Sequence, residues 1–145
     1  MRIATKSSKL NISKLENTKK IADIFAKNIF KGNVILFYGE IGVGKTTFIK
    51  FLVNSLEKID KKNISEITSP TFSLMNQYKL NKFDIHHYDL YRLKSEKDIL
   101  SLNIFEDISD KIVLIEWPEI LGEHKPRNTI DINFEYGENF NSRYL

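Results

Sequence analysis

Apolar residues recur at helical spacing along residues 13–30, which read SKLENTKKIADIFAKNIF. The recurring positions are Leu15, Ala22, Phe25 and Ile29, with Ile21 and Ile24 beside them. Ser13 and Glu16 have the spacing of a capping box, and Gly32 is the residue type that commonly follows the end of a helix. The pattern predicts an amphipathic helix that begins near Ser13 and ends near Gly32.

Two short and almost fully apolar runs predict strands that are buried on both faces of a sheet. They are NVILFY at 33–38 and KIVLIEW at 111–117, and Pro118 closes the second run. A second helix is predicted over residues 45–57. Its apolar positions are Phe48, Phe51, Leu52 and Leu56.

The remaining segments carry β-rich and turn signals. TSPTFSLMNQY and FDIHHYDLY, at 68–78 and 83–91, are separated by the turn-like KLNK and predict a hairpin. Ser95 and Asp98 have capping spacing and predict a short helix. Residues 129–145 predict a last strand pair that turns around Gly137-Glu138-Asn139.

A glycine-rich loop follows the first buried strand. Gly39, Gly44, Lys45 and Thr46 satisfy G-x-x-x-x-G-K-[ST], the phosphate-binding P-loop signature. Glycines allow the backbone N–H groups to converge on phosphate oxygens, and the next helix adds its positive end. We expect the lysine to reach the β- and γ-phosphates and the threonine hydroxyl to bind Mg²⁺. The candidate residues of this loop are Gly39, Glu40, Gly42, Val43, Gly44, Lys45, Thr46 and Thr47.

Strands that alternate with helices around such a loop indicate an α/β fold. The expectation is a P-loop NTPase-like three-layer sandwich, with a mixed, mainly parallel central sheet and antiparallel hairpins. No linker or repeat interrupts residues 1–145, which predicts a single P-loop ATPase domain.

Composition restricts the cellular compartment and the kinds of site that the chain can form. The chain has 145 residues and no cysteine, so disulfides and thiolate zinc sites are excluded and a reducing compartment fits. No apolar run approaches a membrane span, and the first residues lack the apolar region of a signal peptide, so a cytoplasmic location is expected. The basic residues are scattered, so the pI near 9 indicates weak nonspecific attraction rather than a nucleic-acid-reading groove.

A P-loop needs an acid that holds the metal and its water at the carboxyl end of a neighbouring strand. Glu116 ends the second apolar run, and Asp89 ends the strand that contains His86 and His87. Strand alternation puts His87 and Asp89 on one face and His86 on the other. An ordinary strand-end carboxylate remains the alternative for either acid.

Three other features suggest specific ligands. His86 and His87 suggest a transition-metal site, but the chain offers only one further histidine and no cysteine to complete a ligand set. The letters NKFD at 81–84 spell a guanine-reading motif, yet they fall in the predicted hairpin turn and no D-x-x-G accompanies them, which favours adenine. Trp117 fits base stacking and core packing equally well.

Four motifs in order resemble the bacterial TsaE (YjeE) family: GEIGVGKTTF, SPTFSLMNQY, HHYDLYRL and LIEWPE. Members are ATPases required for threonylcarbamoyladenosine formation at position 37 of tRNA. The resemblance implies ATP and Mg²⁺ as cofactors, and the TsaB and TsaD proteins as partners, with tRNA engaged indirectly. Hydrolysis would reset that complex between catalytic rounds.

The resemblance also implies roles for individual residues. Lys45, Asp89 and Glu116 would act in catalysis, and Thr46 would hold the metal together with both acids. Thr18 would lie near the adenine, and Trp117, which the residues alone suggest as a base-stacking candidate, is counted with the nucleotide-binding residues. Ser69, Pro70 and Thr71 would form a switch-like loop that faces the γ-phosphate.

Glu40 and Gln77 depart from the usual family residues, which are Asp and Glu, and the chain is shorter at its end than many relatives. Two other functions stay open: a small-molecule P-loop kinase, and a binding module that ATP gates without turnover.

Overall fold

The structure, a computed structural model, describes residues 9–139 and 141–145. Residues 1–8, part of the N-terminal segment that lacks the apolar region of a signal peptide, lie outside the described residues. The described residues group into two compact units. We call residues 30–38 and 69–132 the sheet unit, and the rest the helix unit. The prediction of a single domain over 1–145 stays a prediction.

The central feature of the sheet unit is a five-stranded sheet. Its strands are β1 Val34–Tyr38, β2 Met75–Lys79, β3 Asp84–Asp89, β4 Lys111–Glu116 and β5 Ile130–Asn133. They lie in the order β2-β3-β4-β1-β5. β4 pairs in parallel with both β1 and β3, whereas β2 pairs antiparallel with β3 through the hairpin. The predictions of a mixed, mainly parallel sheet and of this antiparallel hairpin are confirmed.

A buried apolar cluster covers one face of the sheet. It comprises Val34, Leu36, Tyr88, Leu90, Ile99, Ile104, Val113, Ile115 and Leu121. The strand members alternate along β1 and β4, as strand geometry requires, so the intervening side chains occupy the opposite face. His87, Asp89 and Glu116 belong to that opposite set, which separates the polar chemistry from this core.

The cluster is closed by short helical segments of the same unit. Helix α3 spans Glu96–Ser101, and 3₁₀ segments span Ile108–Asp110 and Pro118–His124. Ser95 caps α3 as predicted, since its Oγ accepts from the backbone N–H of Asp98 at 3.3 Å. The segment after Pro118 was not predicted, and Gly122 breaks it with a φ of 48°.

The helix unit contains two packed helices and a small strand pair. They are α1 Leu15–Ala26, α2 Lys45–Ile59, β6 Glu135–Tyr136 and β7 Arg143–Tyr144. The rings of Phe25 and Phe48 meet edge-on at 6.0 Å, and Phe48 meets Phe134 in the same way at 5.8 Å. The second helix and the β6–β7 pair around 137–139 are confirmed.

Helix α1 differs from the prediction at both ends. It begins at Leu15 with Lys14 as its N-cap and no side-chain cap bond. Ser13 does not cap it, because its Oγ accepts a bond from the backbone N–H of Arg143 at 3.0 Å. The helix ends at Ala26, well before Gly32, which lies in the turn that leads into β1. The predicted capping box and helix end are therefore wrong.

Two strand predictions were also too broad. Residues 68–74 form a loop, so β2 begins only at Met75. Residues 130–133 form β5 in the main sheet, rather than part of the terminal pair. None of the helices in the described part of the chain combines the length and the apolar character that crossing a membrane requires.

Candidate nucleotide-binding site

The glycine-rich loop has the backbone that its sequence requires. Gly39, Gly42 and Gly44 have φ values of 146°, 77° and 117°, in the region that L side chains rarely adopt. A Cβ on Gly39 would lie 2.8 Å from the carbonyl oxygen of Phe134 and 2.9 Å from Cγ1 of Val43. Glycine is therefore needed there for two independent reasons, its torsion and its close neighbours.

The loop ends at the start of α2, whose first residue is Lys45. The lysine side chain is buried, and its ammonium donates to the carbonyl oxygens of Gly39 and Glu40, the second at 3.2 Å. Thr46 and Thr47 lie in the first turn of the helix, where backbone N–H groups lack partners within the helix. The loop thus combines a fixed cation with a helix N-terminus, a combination that suits phosphate.

The C-terminal strands support this loop from within the helix unit. The Tyr136 hydroxyl donates to the carbonyl oxygen of Ile41 at 3.1 Å. The same hydroxyl would lie 3.2 Å from a Cβ on Gly42. Sequence reasoning missed Tyr136 and Phe134 because the signature ends at Thr46, and nothing in it points to residues ninety positions away.

In the sheet unit, Asp89 and Glu116 end neighbouring parallel strands. They are opposite each other in the register of β3 and β4, and both side chains are buried. Paired residues of parallel strands face the same side of the sheet, so the two carboxylates share one face. The prediction that each acid ends a strand is confirmed, the pairing of the two strands is a finding of the structure, and the metal role of the acids stays a prediction.

Asp89 holds the switch-like loop. Its Oδ2 accepts from the hydroxyls of Ser69 at 3.0 Å and Thr71 at 3.3 Å, and its Oδ1 accepts from the backbone N–H of Tyr91 at 3.0 Å. Pro70 is buried between the two hydroxyl residues. The structure therefore brings two predicted site residues, Ser69 and Thr71, to the carboxylate of a third, Asp89, and sequence spacing alone did not predict this contact.

Glu116 has a different partner. Its Oε2 lies 2.8 Å from Nε2 of His87, and both side chains are almost fully buried. His87 was considered from the sequence only as a metal ligand. The alternation that placed it on the Asp89 face was the available signal, but the contact with Glu116 depends on the pairing of β3 with β4.

The adjacent histidine, His86, faces the other side of β3. Its ring lies 6.3 Å from the ring of Tyr88. Burial lowers the pKa of His86 below its ordinary value, and the charge of Lys111 lowers it further, while Asp84 opposes the shift. Burial also raises the pKa of the Tyr88 phenol.

The aromatic residues beside the acids form two contacts. Trp117 has a left-handed backbone, with a φ of 57°, and its ring lies 4.8 Å from that of Tyr91. The Arg92 guanidinium lies over the ring of Phe72 at 5.2 Å, and that ring is 86% exposed. Trp117 thus packs on another aromatic side chain, and its predicted contact with a base stays a prediction.

Thr18 is placed in the first turns of α1, in the helix unit. Its side chain is buried, and its hydroxyl donates to the carbonyl oxygen of Ile12 at 3.2 Å. Its predicted position near the adenine stays a prediction. The NKFD letters lie in the hairpin as expected, and Asp84 accepts a bond from the Gln77 amide at 2.9 Å.

Each unit offers part of the chemistry that a nucleotide and its metal require. In the helix unit, three glycines at positive φ, a buried lysine and a helix N-terminus provide N–H donors and positive charge that suit a phosphate chain. In the sheet unit, two strand-end carboxylates are oxygen donors of the kind that Mg²⁺ prefers.

Comparison with known proteins decides the family. The family model described as "Threonylcarbamoyl adenosine biosynthesis protein TsaE" matches residues 12–144, a range that contains every candidate site residue. The chain belongs to the TsaE family. A tRNA threonylcarbamoyladenosine biosynthesis protein TsaE from Rickettsia conorii is 37% identical over 124 residues, which cover 86% of this chain and 69% of that protein.

A second TsaE relative comes from another organism. The protein of the same name from Nostoc sp. is 35% identical over 137 residues, with 90% of this chain and 80% of the relative covered. Among solved structures, the crystal structure of YdiB from Bacillus subtilis matches with a TM-score of 0.71 and 24% identity. It covers 94% of this chain and 81% of that chain, and it supports the P-loop NTPase-like fold.

Proposed function

We propose that this chain binds ATP and hydrolyses it in a Mg²⁺-dependent reaction, as the nucleotide-driven component of threonylcarbamoyladenosine formation in tRNA. The observation that carries the proposal is the loop from Gly39 to Thr46, with three glycines at positive φ followed at once by Lys45 at the start of α2. Membership of the TsaE family supplies the pathway, since the relatives carry it in their names.

Each candidate residue has a definite task on this proposal. Lys45 neutralises the β- and γ-phosphates, and the loop N–H groups orient them. The Thr46 hydroxyl and the carboxylates of Glu116 and Asp89 would hold Mg²⁺ and its water. The bound metal would supply charge neutralisation as the phosphoryl group is transferred to water. Asp89 also fixes Ser69 and Thr71, which links the metal acid to the switch-like loop.

The preferred base on this proposal is adenine. The only guanine-reading letters, NKFD, lie in the β2–β3 hairpin, where Asp84 is the first residue of β3 and bonds to Gln77. Trp117 and Thr18 are the residues proposed to lie near the base. The partners would be the TsaB and TsaD proteins, with tRNA reached through their complex, and the chain would work in the cytoplasm.

One observation favours a second candidate, a module that ATP gates without turnover. Phe72, next to Thr71 in the switch-like loop, exposes 86% of its surface, and Arg92 stacks on it. An exposed aromatic residue with an arginine is typical of a protein contact surface. Nucleotide binding that reorganises this loop would change such a surface without any chemistry.

A thermal-shift experiment on the full chain tests nucleotide binding. ATP with Mg²⁺ should raise the melting temperature through mass action, since the folded state binds it, and GTP should raise it less. Equal stabilisation by both nucleotides would contradict the adenine assignment. No stabilisation by either nucleotide would contradict the proposed function as a whole.

Phosphate release separates the remaining candidates. Slow release by the chain alone and faster release with TsaB and TsaD supports the ATPase role. Binding with no release under any condition supports the gated module. Transfer of the phosphoryl group to a small-molecule acceptor would instead identify a kinase.

A further inference from the structure

His87 and Glu116 form a hydrogen bond within the sheet unit that the proposed function does not use. Nε2 of His87 lies 2.8 Å from Oε2 of Glu116, and the two side chains are 0% and 3% exposed. The two residues are not register partners, because His87 is opposite Leu114 whereas Glu116 is opposite Asp89. The histidine therefore reaches along the sheet toward its carboxyl edge to make this contact.

The chemistry of the pair fixes its polarity. The proposed metal role requires an ionised Glu116, and an ionised carboxylate only accepts hydrogen bonds, so in that role the histidine donates through Nε2. Nδ1 of His87 is buried and has no hydrogen-bond partner among the described residues. The contact with Glu116 is therefore the one hydrogen bond of the His87 ring among the described residues. Buried polar atoms are nearly always paired, so an unpaired Nδ1 is unusual.

We propose that His87 is a positioning residue for Glu116. Its Nε2–H bonds to Oε2 and restricts the orientation of the carboxylate that is proposed to face the metal. The inference rests on the proposed function, in which Glu116 is a metal acid. Outer partners of this kind orient metal ligands elsewhere, and their loss typically weakens metal affinity about 10- to 100-fold.

A merely structural histidine is the competing explanation, and the chain contains a matched control for it. His86 is the neighbouring residue on the same strand, half-buried on the opposite face, and its ring lies beside Tyr88. Substitutions at the two positions change the same residue type in the same element. Only those at His87 remove a donor from Glu116.

The experiment measures Mg²⁺ dependence of ATP binding by thermal shift, with no turnover required. The variants are His87→Leu, which fills space without a donor, His87→Gln, whose amide reaches about as far as Nε2, and His86→Leu. We expect His87→Leu to raise the half-saturating Mg²⁺ concentration about 10- to 100-fold. Stabilisation by ATP in EDTA should stay unchanged, His87→Gln should recover most of the loss, and His86→Leu should match the wild type.

If His87→Leu does not fold, His87→Asn replaces it, since the shorter amide lies nearer the position of Nδ1 and does not reach Oε2. The Asn variant should then lose Mg²⁺ affinity while the Gln variant retains it. Wild-type Mg²⁺ dependence in the Leu or Asn variant would overturn the positioning role. So would an equal loss of ATP binding with and without Mg²⁺. A wild type that ATP does not stabilise at all would overturn the proposed function, and this role with it.

Discussion

Asp89 and Glu116 are buried acids at the ends of adjacent strands, but their surroundings differ. Asp89 accepts three hydrogen bonds, two from the switch-like loop and one from Tyr91, whereas Glu116 accepts from the buried ring of His87. Removing Asp89 therefore releases a loop, and removing Glu116 leaves an unpaired donor inside the unit. Both side chains lie off the apolar cluster, so neither substitution opens a cavity in it.

Alanine at either acid should lower ATP hydrolysis at least tenfold while the chain stays folded, because the charge proposed to hold the metal is lost. Phosphate release at saturating ATP measures the effect, and circular dichroism checks the fold. Glu119→Ala is the control, since Glu119 is an exposed carboxylate three residues beyond Glu116. Folded variants with unchanged turnover would show that Asp89 and Glu116 are ordinary strand-end carboxylates with no role in hydrolysis.

His86 predicts a pH dependence of stability. Its folded-state pKa lies below the ordinary value of 6.5, through burial and Lys111, so the unfolded chain binds more protons just below that pH. The contribution of His86 to stability is therefore fully present above its ordinary pKa and is lost as the pH falls toward the folded pKa. Urea midpoints of wild type and His86→Gln, measured from about pH 7.5 to 5, should diverge as the pH falls, with the wild type declining more steeply. Parallel profiles would show that burial of His86 has no such effect.

At the scale of elements, the phosphate loop is held by strands that are distant in sequence. Phe134 closes against Gly39, and Tyr136 bonds to Ile41, so the loop depends on the C-terminal strands as well as on its own glycines. The terminal strands are themselves tied to residues 10–12, through backbone bonds between Leu10 and Leu145 and from Ile12 to Arg143.

Gly39→Ala should destabilise the chain more than Gly32→Ala. Both glycines have positive φ, so both variants carry backbone strain of roughly 1–3 kcal/mol. Only at Gly39 does the new methyl meet neighbours, at 2.8–2.9 Å, whereas nothing lies within 4 Å at Gly32. Melting temperatures measure the difference, and ATP binding should fall only in the Gly39 variant. Equal losses would show that the contact with Phe134 relaxes freely.

Tyr136→Phe should weaken ATP binding a few-fold, because one net hydrogen bond of about 1 kcal/mol no longer holds the loop carbonyl of Ile41. Isothermal titration with ATP and Mg²⁺ gives the change in Kd. Tyr144→Phe makes the same chemical change on the paired strand β7 and serves as its control. A loss of the same size in both variants would point to a general effect of the hairpin rather than to this contact.

The sequence predicted those elements whose signal is local. The strands β1 and β4 are nearly continuous apolar runs, and α2 follows a loop signature, so each was located within two residues. The capping box of α1 failed because Ser13 bonds to Arg143, 130 positions away, and no local pattern carries that information. Alternation along the strand predicted the correct face for His87. Its partner on β4 was not predicted, because that contact depends on the pairing of two strands that are distant in sequence.

At the scale of the whole molecule, the remaining question is what limits turnover. Phosphoryl transfer to water needs charge stabilisation beyond a lysine and a metal, often from an arginine in the same chain or from a partner. Arg92 is the arginine in a site-associated motif, and it stacks on the exposed ring of Phe72. A partner that covers Phe72 would therefore also reach Arg92, and through Thr71 it would reach the hydrogen bonds of Asp89.

We therefore predict that hydrolysis depends on partners. The chain alone should bind ATP and turn it over far more slowly than a typical enzyme rate of about 10 per second. TsaB and TsaD together should accelerate it by ordering the loop that contains Ser69 and Thr71. Phe72→Ala should reduce that acceleration and leave ATP binding by the isolated chain unchanged, because the ring is exposed and lies outside the phosphate loop. Phosphate release with and without partners measures the first effect, and titration with ATP measures the second. Rapid turnover that ignores both partners would contradict this role and favour a stand-alone ATPase or a kinase.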